Sequence, residues 1–282
     1  MKLSSIPVSF FDSIRGGQMS VTEWMDFAAG LGLDGVECGP PLIKPLGPAT
    51  PAEYRRLAAE RGLAVSNYTA YSDFTHPDPE VRKREIATAL NNVAVAKELG
   101  APSVRALTGQ QWPGVEQAQG VAWVVEGIRR MAEQADGAGL RVNVENHTKA
   151  STWANFDFAI RGEVFLRVLE ALRDTPVGVQ FDTANPLVAG EDTLALFEKV
   201  RSRIAYVHVN DVRRPGVFEF VTVGTGIAPI REVLSRLHKQ AYAGWVGIEE
   251  ASRTGRDGFR QAVRYVRQAL SEIERQSSPA VE

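Results

Sequence analysis

The chain has 282 residues, 44% hydrophobic and 23% charged, near the average of globular proteins, which excludes a fibrous, disulfide-framed or mostly disordered chain. Its 32 Lys and Arg nearly balance 34 Asp and Glu, and the net charge of −2 offers nucleic-acid phosphates or an anionic membrane no attractive field. The one cysteine, Cys38, forms no intrachain disulfide, Met1 to Phe10 lacks a leader's basic start, and no run of about 18 apolar residues exists. The expectation is a soluble cytoplasmic protein.

Short β-rich runs alternate with longer helical patterns along the whole chain, as parallel strands joined by crossover helices require. Strands are predicted at Leu3–Ser9, Gly35–Cys38, Ala64–Thr69, Ser103–Leu107, Arg141–Glu145, Val177–Asp182, Ile204–Val209 and Trp245–Glu249. Between them, Val121, Val124, Val125, Ile128, Met131, Ala132 and Ala135 recur at helical spacing, and Phe165, Val168, Leu169 and Leu172 repeat that pattern one unit later. Ser20 stands three residues before Glu23 as a capping box, and Gly62, Gly100 and Gly139 mark helix ends. The eight units, about 35 residues each, have the size of a βαβ repeat. The fold class is therefore α/β, a (β/α)8 TIM barrel over residues 1–275, with a polar flexible tail over 276–282. An open doubly wound sheet is disfavoured, because Phe11 to Gly17 lacks the Gly-rich dinucleotide spacing.

In such a barrel, functional groups gather where strands end at the C-terminal face. Four late strands end in Glu145, Asp182, His208 and Glu249. Each shares its strand phase with polar, small or aromatic residues (Asn143; Gly178 and Gln180; Tyr206; Gly247 and Trp245). The opposite phase is Val142, Val144, Val179, Phe181, Val207, Val209, Val246 and Ile248. The four therefore point into the lumen, the apolar residues toward the helices. Three carboxylates converging there repel one another unless a cation sits between them. One divalent metal ion is the expected cofactor. Oxygen ligands with one imidazole favour Mn2+, with Mg2+, Co2+ and Zn2+ as alternatives.

The segments VNVENH ending at His147, VQFDTAN ending at Asn185, YVHVND ending at Asp211 and GWVGIEE ending at Glu250 resemble the xylose-isomerase-like barrel superfamily. The Gly224–Gly226 turn and the GLDGVE run ending at Glu37 strengthen the likeness. Within that superfamily the sequence is most similar to sugar phosphate isomerases/epimerases and ketose 3-epimerases. The resemblance implies that Glu145, Asp182, His208 and Glu249 bind one divalent cation. It also implies that Glu145 and Glu249 flank the substrate as an acid/base pair and that Arg214 contacts substrate or a catalytic glutamate. One departure stands out: three residues after the aspartate, where ketose epimerases carry histidine, this chain has Asn185.

A metal-stabilised enediolate leads to epimerisation, isomerisation or elimination, so the leading expectation is a metal-dependent isomerase or epimerase of a keto sugar or its derivative. The alternative is a lyase or dehydratase acting on a keto sugar, 3-keto glycoside, inositol derivative or dehydroshikimate. An endonuclease IV-like repair enzyme ranks lower, because four histidines are too few for three zinc ions. A silent binding barrel is disfavoured by the filled ligand positions. His147, in the phase of Glu145, is placed as a second acid/base, or as a residue that orients a ligand. Glu37 is a substrate-binding candidate at the mouth, although a salt-bridged strand-end carboxylate is the better-supported reading of it. Trp112 and Trp153 fall in loops where rings stack on sugars, whereas Trp123 falls in a helix and packs. Arg105 and the Gly224–Gly226 turn are weaker anion candidates. The expected partner is a small carbohydrate, with no nucleic acid and no membrane; homo-oligomerisation is left open.

Overall fold

The computed structural model describes residues 1–277. Eight parallel strands form one sheet: β1 (Lys2–Ile6), β2 (Gly35–Cys38), β3 (Ala64–Tyr68), β4 (Ser103–Ala106), β5 (Arg141–Glu145), β6 (Gly178–Asp182), β7 (Ile204–Val209) and β8 (Trp245–Glu249). Their order, β1-β8-β7-β6-β5-β4-β3-β2, is that of a barrel wound strand by strand. β1 and β2 meet at a seam bridged by Asp34, whose N–H donates to the Leu3 carbonyl at 2.8 Å while its carboxylate accepts the Leu3 N–H at 2.8 Å. The expected (β/α)8 barrel is observed.

The alternation in the strands is what closes it. Val142, Val144, Val179, Phe181, Val207, Val246 and Ile248 are buried against the helices, and Ser4, Asn67, Asn143, Gln180, Tyr206 and His208 are buried in the lumen. Two register slips modify the pattern. At Val36/Glu37 the ladder passes over Ser66, so both Ser66 and Asn67 reach the lumen: Ser66 Oγ meets the Tyr206 hydroxyl at 2.9 Å, and Asn67 Nδ2 donates to Gln180 Oε1 at 2.9 Å. The second slip lies between Val179 and Gln180, opposite β7.

Helix signals hold where the sequence carries them. The Ser20–Glu23 capping box is complete, with Ser20 Oγ accepting the Glu23 N–H and the Glu23 carboxylate accepting the Ser20 N–H. Gly100 caps Pro79–Leu99 at φ 68°, in the left-handed region that a side chain enters only under strain. The 121–135 pattern lies in Gln117–Asp136, with Val124, Ile128, Met131, Ala132 and Ala135 buried. Arg82 stacks over the Trp123 ring at 3.6 Å, consistent with its packing role. Four edges move. β1 ends at Ile6 rather than Ser9, because Pro7, lacking an N–H, turns the chain into the 3-10 turn Val8–Phe10 and helix Phe11–Arg15. β3 and β4 end one residue early, and β6 starts one late. Of the tail expected from Gln276, Gln276 and Ser277 belong instead to helix Gly255–Ser277; residues 278–282 lie outside the described residues. Among the described residues no helix is long and apolar enough to cross a membrane.

The last helix closes on helix Val21–Gly30 and the turn before Phe11 through a cluster of rings. Trp24, wholly buried, lies 5.8 Å from Phe10 and 5.1 Å from Phe259, and Phe10 stacks on Phe259 at 4.9 Å. Trp24→Ala is expected to cost about 3–5 kcal/mol, and Ser20→Ala only about 1 kcal/mol, because one opens a core cavity and the other removes a surface cap. Urea unfolding of the two variants measures the contrast.

Candidate metal centre

Glu145, Asp182 and His208 are fully buried at the ends of β5, β6 and β7, and Glu249, at the end of β8, keeps 22% of its side chain open to the mouth. One potential ligand atom from each lies within 4.8 Å of the others. Six-coordinate Mg2+ or Mn2+ with bonds near 2.1 Å spaces its ligand atoms by roughly 3 Å to 4.2 Å, so a slight contraction brings this set to bonding range. His208 Nδ1 stands 2.9 Å from Glu145 Oε1 and 2.7 Å from Glu249 Oε2.

Asp182 supplies the test of fit. Its Oδ1 accepts the N–H groups of Ala184 and Asn185 at 2.8 and 2.7 Å, while its buried Oδ2 has no hydrogen-bond partner. A buried carboxylate oxygen without a partner beside two further carboxylates is what a cation site leaves when its cation is not counted. The donor set is hard oxygen with one imidazole and no thiolate, which suits a divalent cation of the Mn2+ type.

The electrostatics are those of crowded negative charge. Burial, then the Glu249 and Glu145 charges, push the Asp182 carboxyl well above the ordinary range. Burial also acts against the charge on Glu145, but the Arg105 and His208 charges, with a smaller part from His147, outweigh it and hold that carboxyl far down. His208 is lowered by burial yet carried well above the usual imidazole value by Glu37, Glu249 and Glu145. Arg105, whose Nη1 donates to Glu145 Oε2 at 2.7 Å and whose Nε donates to the Ala70 carbonyl at 3.1 Å, is committed to this network rather than to a ligand's phosphate.

The remaining candidates divide. His147 is mostly buried, its Nδ1 3.5 Å from Asp157 Oδ2 and its ring edge-on to Trp153 at 5.7 Å. Asp157 is wholly buried and takes hydrogen bonds from Thr108 and the Ala159 N–H, and its Oδ2 is otherwise unpartnered. Asn185 is buried beside Asp182, accepting from Thr148 Oγ1 at 3.3 Å. Glu37 does not line the mouth as expected. It is wholly buried, 3.0 Å from His208 Nε2, and salt-bridged, as the better-supported reading has it. Trp112 is spent on the loops: its Nε1 donates to Asp73 at 3.1 Å and its ring meets His76 at 4.5 Å. Arg214 stands in solvent with no ion pair, on a ribbon where Arg213 pairs with Glu219. The Gly224–Gly226 turn is no phosphate cradle, because Asp211 already accepts the N–H groups of Gly224, Gly226 and Ala228. Asp157 and Asp73 had no sequence signal, each being an isolated loop aspartate, while Asp211 closes the YVHVND segment, where no role was assigned to it.

The description Xylose isomerase-like TIM barrel matches residues 25–269. The chain belongs to this family. Members and neighbours of the family differ in their reactions. An inosose dehydratase of Lacticaseibacillus casei is 23% identical over 141 residues, 44% of each chain, and the chain spans about half the length of such curated relatives. A D-tagatose 3-epimerase-like protein superposes with a TM-score of 0.80 at 18% identity, covering 99% of this chain and 100% of that one. An L-ribulose 3-epimerase gives 0.78 at 14% identity, covering 100% and 99%. Likeness at these identities establishes the fold.

Crowded negative charge raises the proton affinity of Asp182 and of His208, so a cation entering among the four ligands competes with protons for them. Affinity for Mn2+ is therefore expected to rise with pH, with protons released as the ion binds. Calorimetry in buffers of different ionisation enthalpy counts them; pH-independent binding without proton release contradicts the ligand set.

Proposed function

We propose that the protein is an isomerase or epimerase of a keto sugar or sugar derivative, working with one divalent cation, Mn2+ by preference, held by Glu145, Asp182, His208 and Glu249. The observation that carries this reading is the convergence of one ligand atom from each of four residues, among them Asp182 with its unpartnered buried Oδ2, with one carboxylate left open to the mouth. The cation, when bound, supplies a Lewis acid that offsets negative charge developing on the substrate oxygen. The chain supplies the proton handling. Glu249, reaching in from the β8 wall and part exposed, takes the proton from the carbon next to the carbonyl. Glu145, on the β5 wall and paired with Arg105, faces the substrate from the other side; for epimerisation it relays a solvent-derived proton to that face while Glu249 gives its proton up to solvent, and for isomerisation Glu249 returns the abstracted proton to the neighbouring carbon. The buried lower layer of the lumen keeps bulk water from these groups.

Elimination is the second reading, and His147 favours it. With Nδ1 turned to Asp157, the ring is oriented as a proton donor beside Glu145. After the same proton abstraction, the C–O bond of a neighbouring hydroxyl breaks and His147 protonates the departing oxygen as water. The dehydratases among the relatives are in keeping with this step.

Glu145→Gln and Glu249→Gln are each expected to lower turnover by about 10²- to 10⁴-fold, the usual contribution of one positioned acid or base. Near-normal rates in either would remove its role. A screen of keto sugars in D2O with mass spectrometry separates the readings: an unchanged formula carrying solvent deuterium supports isomerisation or epimerisation, and loss of water supports elimination. His147→Gln should abolish the second outcome and spare the first.

A further inference from the structure

Glu37 was expected at the mouth and lies instead one layer below the candidate ligands. Its carboxylate fills the space beside Gly247, where an added Cβ would collide with Glu37 Oε1 and the Tyr206 ring. Gly247 precedes Glu249 by two residues on β8, so Glu37 stands directly beneath that ligand's level. It is locked in place. Thr69 Oγ1 donates to Glu37 Oε2 at 2.6 Å, Asn67 Nδ2 approaches the same oxygen at 3.5 Å, and the Tyr54 hydroxyl donates to the Glu37 carbonyl at 2.9 Å.

The two ring nitrogens of His208 are thereby divided. Nδ1 faces Glu145 and Glu249, the other candidate ligands, at 2.9 and 2.7 Å. Nε2 faces Glu37 alone among the carboxylates, 3.1 Å from Oε1 and 3.0 Å from Oε2. Gln180 does not choose between them, since its Nε2 lies 3.2 Å from one nitrogen and 3.3 Å from the other. A neutral imidazole that ligates through one nitrogen carries its proton on the other, and the acceptor of that proton sets both tautomer and ring orientation.

We propose that Glu37 is a positioning residue of the metal centre, accepting the His208 Nε2 proton so that Nδ1 is the nitrogen presented to the cation. The inference rests on the metal reading of the four ligands and goes beyond it by assigning the ligand atom and the group that selects it. Glu37 touches no substrate in this arrangement. Its carboxylate acts through the ring, fixing its rotation and increasing its donor strength.

The test is Mn2+ binding by the full-length metal-free protein, followed by calorimetry without any substrate. Glu37→Gln keeps the shape but removes the charge and replaces one of the two acceptor oxygens by a donor; its Mn2+ affinity should fall about 10- to 100-fold, the usual effect of losing such a partner. Nitrogen-15 NMR of the Zn2+-loaded wild type should show a slowly exchanging proton on His208 Nε2 and a metal-bound Nδ1, and in Glu37→Gln that proton should exchange fast or the tautomer mix. Should Glu37→Gln fail to fold, Thr69→Val, which loosens the carboxylate without altering any charge, carries the test through a several-fold loss of affinity. Unchanged Mn2+ affinity with an unchanged Nε2 proton in a folded variant overturns the role of Glu37 and leaves the metal centre standing. Absence of Mn2+ binding by the wild type overturns the metal centre itself, and this inference with it.

Discussion

Four carboxylates, Glu37, Glu145, Asp182 and Glu249, share the upper lumen with two cationic groups, Arg105 and His208. Placing that much like charge in a low-dielectric interior costs far more than the barrel walls return, unless the charge is offset group by group. The offset is visible in the contacts: Arg105 takes Glu145, His208 takes Glu37 and shares Glu145 and Glu249, and Asp182 is left with one oxygen unpartnered, its carboxyl pushed upward by burial and by the Glu249 and Glu145 charges. A divalent cation among these side chains would offset the remaining negative charge. The geometry of the barrel mouth follows from this balance. Arg105 is buried because Glu145 needs it, Gly247 is small because Glu37 needs its space, and the slip in β3 exists where Asn67 must reach Glu37 and Gln180.

The barrel and its four convergent side chains were legible because a strand has a period of two and a catalytic barrel has one functional end. Valines and isoleucines on one phase, with polar residues on the other, say which way Glu145, Asp182, His208 and Glu249 face without any knowledge of their neighbours. What failed needed depth or partners. Glu37 shares strand end and phase with the ligands, but the register of β2 against β3 drops it a layer, and no single-strand pattern contains that register. Arg105 looked like an anion site because its partner, 40 residues on, is joined to it only by the closing of the sheet. The Gly224–Gly226 turn has free-looking N–H groups in sequence, and Asp211 takes them in space.

Loop aspartates carry much of the remaining order. Asp73 gathers the Gln110 backbone and side chain and the Trp112 indole, Asp157 ties Thr108 to Ala159 and faces His147, and Asp211 holds the turn before helix Ile230–Lys239. Each stands in for the missing ladder of a loop by gathering backbone N–H and side-chain donors on one carboxylate, which lets long βα loops stay fixed over the mouth. Catalytic groups on loops inherit their precision from such anchors. His147 is positioned as much by residue 157 as by the strand that precedes it.

The pairing of β1 with β8 joins residues as distant as Ser5 and Ile248, 243 positions apart, and sets Ile6 directly beside Glu249. A growing chain cannot form this pair until its eighth strand has been made. Until then β1 and β7 both present open edges with unsatisfied N–H and C=O groups, the surface on which incomplete sheets associate with one another. The cluster of Glu145, Asp182 and His208 is likewise short of Glu249 through that interval. Convergence of the four side chains and protection from self-association therefore arrive together in the life of a newly synthesised molecule, at the moment the ring of strands closes.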